Sequence, residues 1–220
     1  MDRIPEPEIM DDEQQAVAYA QADFSSSNQA FVDGLVDAYS PGLRTVLDIG
    51  CGPGDIPIRL ARAEPFAHVT AVDASDVMVA LAEKAVAQAG LTGQIHCVLG
   101  RIPGLPFRGT RFDAIISKDL LHHLADPMVF WEEAKRLGQA GTGLYVMDLF
   151  RPESPEAARQ IVESVSGSEP EVLRRDFYNS LLAAFTPDEV RHQLRRAGLD
   201  LEVEVVSERH MRIMGLLQSR

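Results

Sequence analysis

Cysteine, positive charge and long apolar runs are all scarce in this chain, and each shortage removes a class of protein. Two cysteines among 220 residues, Cys51 and Cys97, are too few for a disulfide framework and stand in no spacing that builds a zinc site. Both are expected to be free thiols. Lys and Arg number 21 against 33 Asp and Glu, a formal net charge of −12. Such a surface repels a phosphate backbone, so nucleic-acid substrates are disfavoured. Arg191, Arg195, Arg196, Arg209 and Arg212 gather towards the carboxyl end in the manner of a solvated face. No apolar run approaches the ~20 residues that cross a bilayer, and no membrane span is expected. The opening MDRIPEPEIMDDEQQ carries acids and prolines where a secretory signal carries basic and then apolar residues, which points to the cytoplasm.

What is present is an alternation of short β-branched runs with longer Ala/Leu-rich stretches, the pattern of a parallel sheet with crossover helices. Strands are predicted over Thr45 to Ile49, His68 to Asp73, Ile95 to Leu99, Phe112 to Ser117 and Gly143 to Asp148. Ser75 to Ala89 reads as a helix capped by Ser75 and stopped by Gly90. Another starts at Asp126-Pro127 and ends near Gly138. Thr186-Pro187-Asp188-Glu189 has the order of a capping box, and Val190, Leu194 and Ala197 give the following helix an inward face before Gly198 ends it. Leu201 to Glu208 and His210 to Leu217 are nearly contiguous strands, and so antiparallel to each other. The fold class is therefore α/β, doubly wound, in a single domain over residues 1–220. Two segments lie outside the sheet: 13–39, read as two helices broken around Ser25-Ser26-Ser27, and 150–185, too long for a structureless loop. Both are expected to form a lid and a cap over the carboxyl ends of the strands, where open α/β sheets place ligands.

The first strand runs straight into a glycine-rich turn, Val46-Leu47-Asp48-Ile49-Gly50-Cys51-Gly52-Pro53-Gly54-Asp55. Gly50, Gly52 and Gly54 let backbone approach a ligand without a Cβ in the way. Nineteen residues after Gly54 the second strand ends in Asp73, placed as the acid that accepts hydrogen bonds from ribose hydroxyls in dinucleotide folds. A dinucleotide fingerprint spaces its glycines G-x-G-x-x-G and brings a pyrophosphate to the helix N-terminus. Here the spacing is G-x-G-x-G with Asp48 before and Asp55 after, an unfavourable setting for phosphate and a favourable one for a ligand carrying an ammonium and a sulfonium. S-adenosylmethionine carries both.

Residues 46–61 resemble motif I of the class I S-adenosylmethionine-dependent methyltransferases. Ala71 to Met78 resembles the second-strand motif of that family, which implies Asp73 on the ribose and Ala74 and Met78 against the adenine. Phe112 to Ser117 with Leu120 to Leu124 is similar to its fourth-strand motif, and Ala184 to Val190 to its late capped helix. The resemblance implies a Rossmann-like, seven-stranded, mostly parallel sheet of order 3-2-1-4-5-7-6 with the last strand antiparallel, and methyl transfer to an acceptor. One departure stands out: where the family often has an acid after the third strand, this chain has Gly100-Arg101-Ile102. The residues expected to contact the cofactor are Asp48, Gly50, Cys51, Gly52, Gly54, Asp73, Ala74, Met78, Arg101, Ile102 and Ser117, with Tyr19 closing from the lid.

Methyl transfer from a sulfonium needs alignment in a dry site, and a general base when the acceptor is a hydroxyl or a protonated amine. Asp119, His122 and His123, spaced i, i+3 and i+4, fall on one side of a helical turn and are the candidate bases. The same trio has ligand types for a divalent metal, but the reading taken has one histidine capping or packing, the other facing the methionine end of the cofactor, and no metal. His122 or His123 is the first candidate to face the substrate. Tyr178 is the candidate hydroxyl from the cap, and Phe177, Tyr178, Leu181, Leu182 and Phe185 either line an acceptor pocket or fasten the cap to the sheet. The expected function is methylation of a small-molecule acceptor, without nucleic acid or membrane and with homodimerisation left open. The alternatives are a cofactor-binding regulatory or partner protein without turnover, and an RNA methyltransferase.

Overall fold

The computed structural model describes residues 1–6, 16, 19–20, 22–107, 109–167 and 169–218. In chain order the elements are α1 (Ser25–Tyr39), β1 (Thr45–Ile49), α2 (Asp55–Ala63), β2 (His68–Asp73), α3 (Asp76–Ala89), β3 (Ile95–Leu99) and β4 (Ala114–Lys118). A single 3-10 turn (Leu121–His123), α4 (Met128–Leu137) and β5 (Gly143–Leu149) follow. The chain closes with α5 (Pro155–Ser166), α6 (Glu171–Ala183), α7 (Pro187–Ala197), β6 (Glu202–Val205) and β7 (His210–Leu216). The strands form one sheet in the order β3-β2-β1-β4-β5-β7-β6. β1 to β5 are parallel, and β7 runs antiparallel to both β5 and β6.

Both faces of this sheet are covered, and strand periodicity decides which residues meet which helices. Leu47 and Ile49 of β1 and Leu144 and Val146 of β5 pack with Phe130, Trp131 and Ala134 of α4 and Val190 and Leu194 of α7. Their neighbours Val46, Tyr145 and Met147 face the other way, into Phe31, Val32 and Leu35 of α1 and Ile56 and Leu60 of α2. Asp48 shares the second face, at the carboxyl end of β1. Gly34 of α1 sits where its helix crosses β5, and a Cβ there would come within 2.2 Å of the Tyr145 hydroxyl oxygen. Backbone contact of that kind lets α1 lie close to the sheet.

Several predicted signals are realised. Ser75 caps α3 by accepting from the Met78 amide, and Gly90 closes that helix in the left-handed conformation. Thr186 and Glu189 form the reciprocal capping box of α7. Ser25-Ser26-Ser27 is the first turn of α1; most of the helix predicted ahead of it lies outside the described residues. The fourth strand starts at Ala114, two residues later than predicted, because Phe112 and Asp113 lead into it. Asp113 accepts from the Arg44 and Thr45 amides at 3.0 and 2.8 Å, fastening the start of β1. The 150–185 segment contains two helices, α5 and α6, fastened to β5 through Leu149, Ala158, Val162, Leu181 and Leu182.

The loop after β3 is held from below by one buried acid. Glu133 of α4 is 2% exposed, and its Oε1 accepts the Gly104 and Leu105 amides at 2.9 and 2.7 Å. Arg136 pairs with it and donates to the Leu105 carbonyl at 2.7 Å. Replacing Glu133 by alanine leaves the buried Leu105 amide and the Gly104 amide without their acceptor and Arg136 without its ion-pair partner. Glu133→Ala is expected to lower unfolding free energy by roughly 2–4 kcal/mol in denaturant titration, with Glu133→Gln recovering part of it.

Candidate functional site

Parallel strands must deliver their carboxyl ends to one edge, and there β1 turns into α2 through three glycines at φ of 80°, 51° and 89°, Gly50, Gly52 and Gly54. Positive φ is strained for any side chain but glycine. The turn is anchored on β2: the Gly50 and Cys51 amides donate to the Val72 carbonyl at 2.8 and 2.9 Å. A Cβ built on Gly52 would meet nothing within 4 Å, so bare backbone borders open space. Asp73 is held by two amides, Gly52 to Oδ2 at 2.8 Å and Ser75 to Oδ1 at 2.9 Å. Each carboxylate oxygen can accept further bonds, because a carboxylate offers about four lone-pair sites.

Asp48 is the electrostatic anomaly of this edge. It is 2% exposed, and its Oδ2 has no hydrogen-bond partner among the described residues. Burial, followed by the charge of Asp73, pushes its carboxyl up to about 8. Asp55, the second acid of the turn, is already engaged by Arg59 at 2.7 Å and Asn28 at 2.8 Å. The attraction for a positively charged ligand therefore rests on Asp48, with Asp55 contributing to packing between α1 and α2.

Three cavities meet here, of about 370, 470 and 170 Å³. Tyr19, Lys118 and Asp119 border all three. The first is lined by Gly50, Gly52, Asp73, Ala74, Met78, Arg101 and Ile102, and the second by Asp48, Cys51 and Asp55. Of the residues expected to contact the cofactor, two are placed elsewhere: Gly54, buried where a Cβ would lie 3.1 Å from Ala82 of α3, and Ser117. The latter is fully buried, and its hydroxyl donates to the Ile49 carbonyl at 2.7 Å, locking β4 to β1. Tyr178 is also displaced from expectation: it borders a groove on the outer side of the cap beside Arg159, and its neighbour Phe177 is the aromatic that faces inward. Leu181 and Leu182 fasten the cap and Phe185 joins the main core, so the apolar cluster is divided between the two roles proposed for it.

The 170 Å³ cavity is lined by His122, His123, Asp119, Tyr19, Phe177 and Ser180, among others. His122 is 2% exposed and its Nδ1 lies 2.7 Å from Asp148 Oδ1, while Asp148 Oδ2 accepts the Leu121 amide at 2.7 Å. Burial works against charging this imidazole, but Asp148 overrides it and the pKa of His122 is raised. The His123 ring stacks on it at 4.2 Å. Asp119 does not complete this pair. Held at φ 55°, it forms an ion pair with Lys118 and faces His210 Nε2 at 3.6 Å. Burial raises its pKa, but Lys118 and then His210 outweigh that and keep it well below the usual carboxylate range.

The acid that joins the histidines is Glu6, a residue outside every sequence signal considered. Its Oε1 is 3.6 Å from His122 Nε2 and 3.3 Å from His123 Nδ1, and it accepts from the Ser180 hydroxyl at 2.9 Å. Burial raises its carboxyl pKa. The first six residues reach it as a strap. Arg3 donates to the carbonyls of Ala183, His122 and Leu124 and lies 4.0 Å over the Phe185 ring, and the Ile4 amide donates to the Leu182 carbonyl.

Known proteins share the domain and the fold. Residues 46–141 match the family model described as a methyltransferase domain. A methyltransferase of Mycobacterium tuberculosis, itself uncharacterized, is 30% identical over 164 residues, which are 74% of this chain and 80% of that one. The ubiquinone biosynthesis O-methyltransferase of Cereibacter sphaeroides is 31% identical over 161 residues, 72% of this chain and 61% of the relative. Among solved structures, a putative S-adenosyl-L-methionine-dependent methyltransferase from Methanococcus maripaludis superposes with a TM-score of 0.74 at 19% identity, over 99% of this chain and 98% of that one. With the glycine turn, Asp73 and the 3-2-1-4-5-7-6 sheet in place, the chain belongs to the class I S-adenosylmethionine-dependent methyltransferases.

Proposed function

We propose that this methyltransferase acts on a hydroxyl of a small, partly apolar molecule seated in the cavity beneath α6. The observation that carries the reading is the junction of the three cavities at Tyr19, Lys118 and Asp119. A ligand resting on the glycine turn thereby has direct access to a pocket where apolar Phe177, Leu149 and Leu173 face the imidazoles of His122 and His123. Charge supports a small acceptor over RNA, since a net charge of −12 disfavours binding to a phosphate backbone. The O-methyltransferase relative from Cereibacter sphaeroides supports oxygen as the atom methylated.

The residues at the first two cavities fit S-adenosylmethionine. Asp48 would take its ammonium, the group that relieves a buried oxygen left without a partner. Asp73 would accept from both ribose hydroxyls, Ala74, Met78 and Ile102 would flank the adenine, and the backbone of Gly50 to Gly52 would border the methionine portion. Arg101 is exposed at the adenine end, so the amino group of the base would be met by backbone of the 100–103 loop that Glu133 anchors. When bound, the cofactor supplies an electrophilic methyl group on a sulfonium, whose neutral leaving group requires no covalent help from protein.

The remaining work falls to the chain. Asp148 fixes the His122 ring through Nδ1, leaving Nε2 on the side of the acceptor cavity. His122 and His123 then meet the acceptor hydroxyl and ease the loss of its proton, a contribution of about 10²–10⁴-fold in comparable general-base systems. Tyr19 and α6 close the site against water, and Phe177 holds the apolar part of the acceptor.

Four measurements follow. Transfer of labelled methyl from S-adenosylmethionine into a pool of small phenols and hydroxylated metabolites is expected. Cofactor binding without any transfer would favour the regulatory reading, and transfer into bulk RNA that collapses with salt would replace the acceptor class. Asp73→Ala is expected to weaken binding of the demethylated cofactor by about 1–3 kcal/mol in calorimetric titration, through loss of charge-assisted hydrogen bonds; unchanged affinity would remove it from the ribose. His123→Ala should leave that affinity intact while turnover falls, and unaltered turnover in both this variant and His122→Ala would take the pair out of the mechanism. Asp48 ionises near 4 in the unfolded chain and near 8 in the folded, ligand-free one. Stability of the ligand-free protein should therefore fall as pH rises through that window, by up to about 1.4 kcal/mol per pH unit from this group. Asp48→Asn should flatten that slope in thermal melts while weakening cofactor binding.

A further inference from the structure

We infer that Glu6, His122 and His123 form a binding site for one divalent transition ion of the zinc class, open towards the acceptor cavity. The site deepens the acceptor reading above, with the ion and not the free imidazoles meeting the acceptor hydroxyl when it is bound, and rests on that reading only for the identity of the last ligand. One ligand atom from each of these residues lies within 4.8 Å of the other two. The separations from Glu6 Oε1, 3.3 Å to His123 Nδ1 and 3.6 Å to His122 Nε2, suit one ion. Bonds of about 2.0–2.1 Å from a tetrahedral zinc ion put its ligands about 3.3 Å apart. Two imidazoles and one carboxylate are the donor set of catalytic zinc and facial iron sites, which keep a position free for water or substrate.

The surroundings carry the argument beyond a chance cluster of titratable groups. Metal-bound histidine usually donates its second ring nitrogen to a carboxylate, which fixes the tautomer and raises ligand basicity. His122 does this with Asp148 at 2.7 Å, and the second Asp148 oxygen is fixed by the Leu121 amide. The ligating carboxylate has an orienting donor as well, the Ser180 hydroxyl. Glu6 reaches the pair on a strap pinned by Arg3 to the carbonyls of His122 and Leu124, which flank His123 in the same turn. Ligands from residue 6 and from the turn at 122–123 are thus held in one frame before any ion arrives, and less conformational entropy is lost on binding.

His122, His123 and Ser180 line the acceptor cavity, so an open coordination position would face the acceptor. The last ligand is then an oxygen or nitrogen of the acceptor, or water in its absence. Acceptors with two adjacent oxygen donors, such as a catechol or a 2-hydroxy carbonyl, are the chemical class that gains most from such an ion. Asp119, the acid that spacing alone would have enlisted, is kept out by its pairing with Lys118.

The test uses tag-free, full-length protein, dialysed against a chelator and titrated with Co²⁺ and with Zn²⁺. One equivalent bound, with the intense visible absorption of a low-coordinate Co²⁺ centre, is the expected result. Glu6→Gln and His123→Ala should each lower affinity at least tenfold, and Asp148→Asn by about 10–100-fold. In Glu6→Gln the affinity for demethylated cofactor should be unchanged, which shows that the variant is folded. Absence of a stoichiometric ion, or equal affinity in Glu6→Gln, overturns the site and leaves Glu6 as an ion-pair partner of the imidazoles. Chelated protein that binds no added ion and still methylates a small molecule at full rate removes the metal and keeps the methyltransferase reading. An ion bound by these residues, with no transfer to any small molecule, keeps the site and removes the acceptor class.

Discussion

A carboxylate buried at the end of β1 with one oxygen unsatisfied costs folding free energy, and the architecture of the ligand edge is organised around keeping it there. Hydrogen-bonding Asp48 internally would be cheap, since a single serine or backbone amide would do it. Instead the chain places it, 2% exposed, beside a turn of three glycines, with Asp73 close enough to raise its pKa further. Both acids are fixed by the parallel pairing of β1 with β2, in which Asp48 stands opposite Ala71 and Ile49 opposite Val72. A phosphate-bearing ligand would worsen this concentration of charge, whereas a cationic one neutralises it. On the proposed reading, cofactor choice follows from this electrostatic imbalance in the ligand-free state.

The acceptor side obeys a different logic. Around Asp48 the polar group is left wanting, but His122, Asp148 and Glu6 each have a partner: Asp148 for His122, the Leu121 amide for Asp148, the Ser180 hydroxyl for Glu6. On the proposed reading, groups preorganised in this way would hold an acceptor within the narrow geometry that displacement at a methyl carbon demands. The strap and cap share the task. Arg3 crosses the carbonyls of the histidine turn and the end of α6, so displacement of the first residues would loosen both walls of the cavity together.

Where local backbone rules dictate structure, the chain could be read directly. The capping box at Thr186, the cap at Ser75 and the glycine run at 50–54 each act over three or four residues, and each appears as expected. Strand order followed from the resemblance, and the closing hairpin from the shortness of its connection. Roles set by tertiary packing were less accessible. Ser117 sits on a ligand-end strand, but its hydroxyl turns to the Ile49 carbonyl inside the sheet. Tyr178 and Phe177 are adjacent on α6, and helical rotation of about 100° per residue decides which one faces the cavity. Asp119 has the spacing of a partner for the histidines, yet Lys118 and His210 claim it. Glu6 carries no local signal at all, because 116 residues separate it from His122 and only the folded chain brings them together.

The central claim, that a cationic cofactor relieves Asp48, is most directly tested by counting protons. Calorimetric titration of the protein with S-adenosylmethionine near pH 7, in buffers of different ionisation enthalpy, gives the protons exchanged on binding. A carboxyl that is largely protonated when ligand-free and ionised against the bound ammonium should release close to one proton, and Asp48→Asn should abolish the release. Tight binding with no proton released by the native protein, or the same release from Asp48→Asn, would contradict the account.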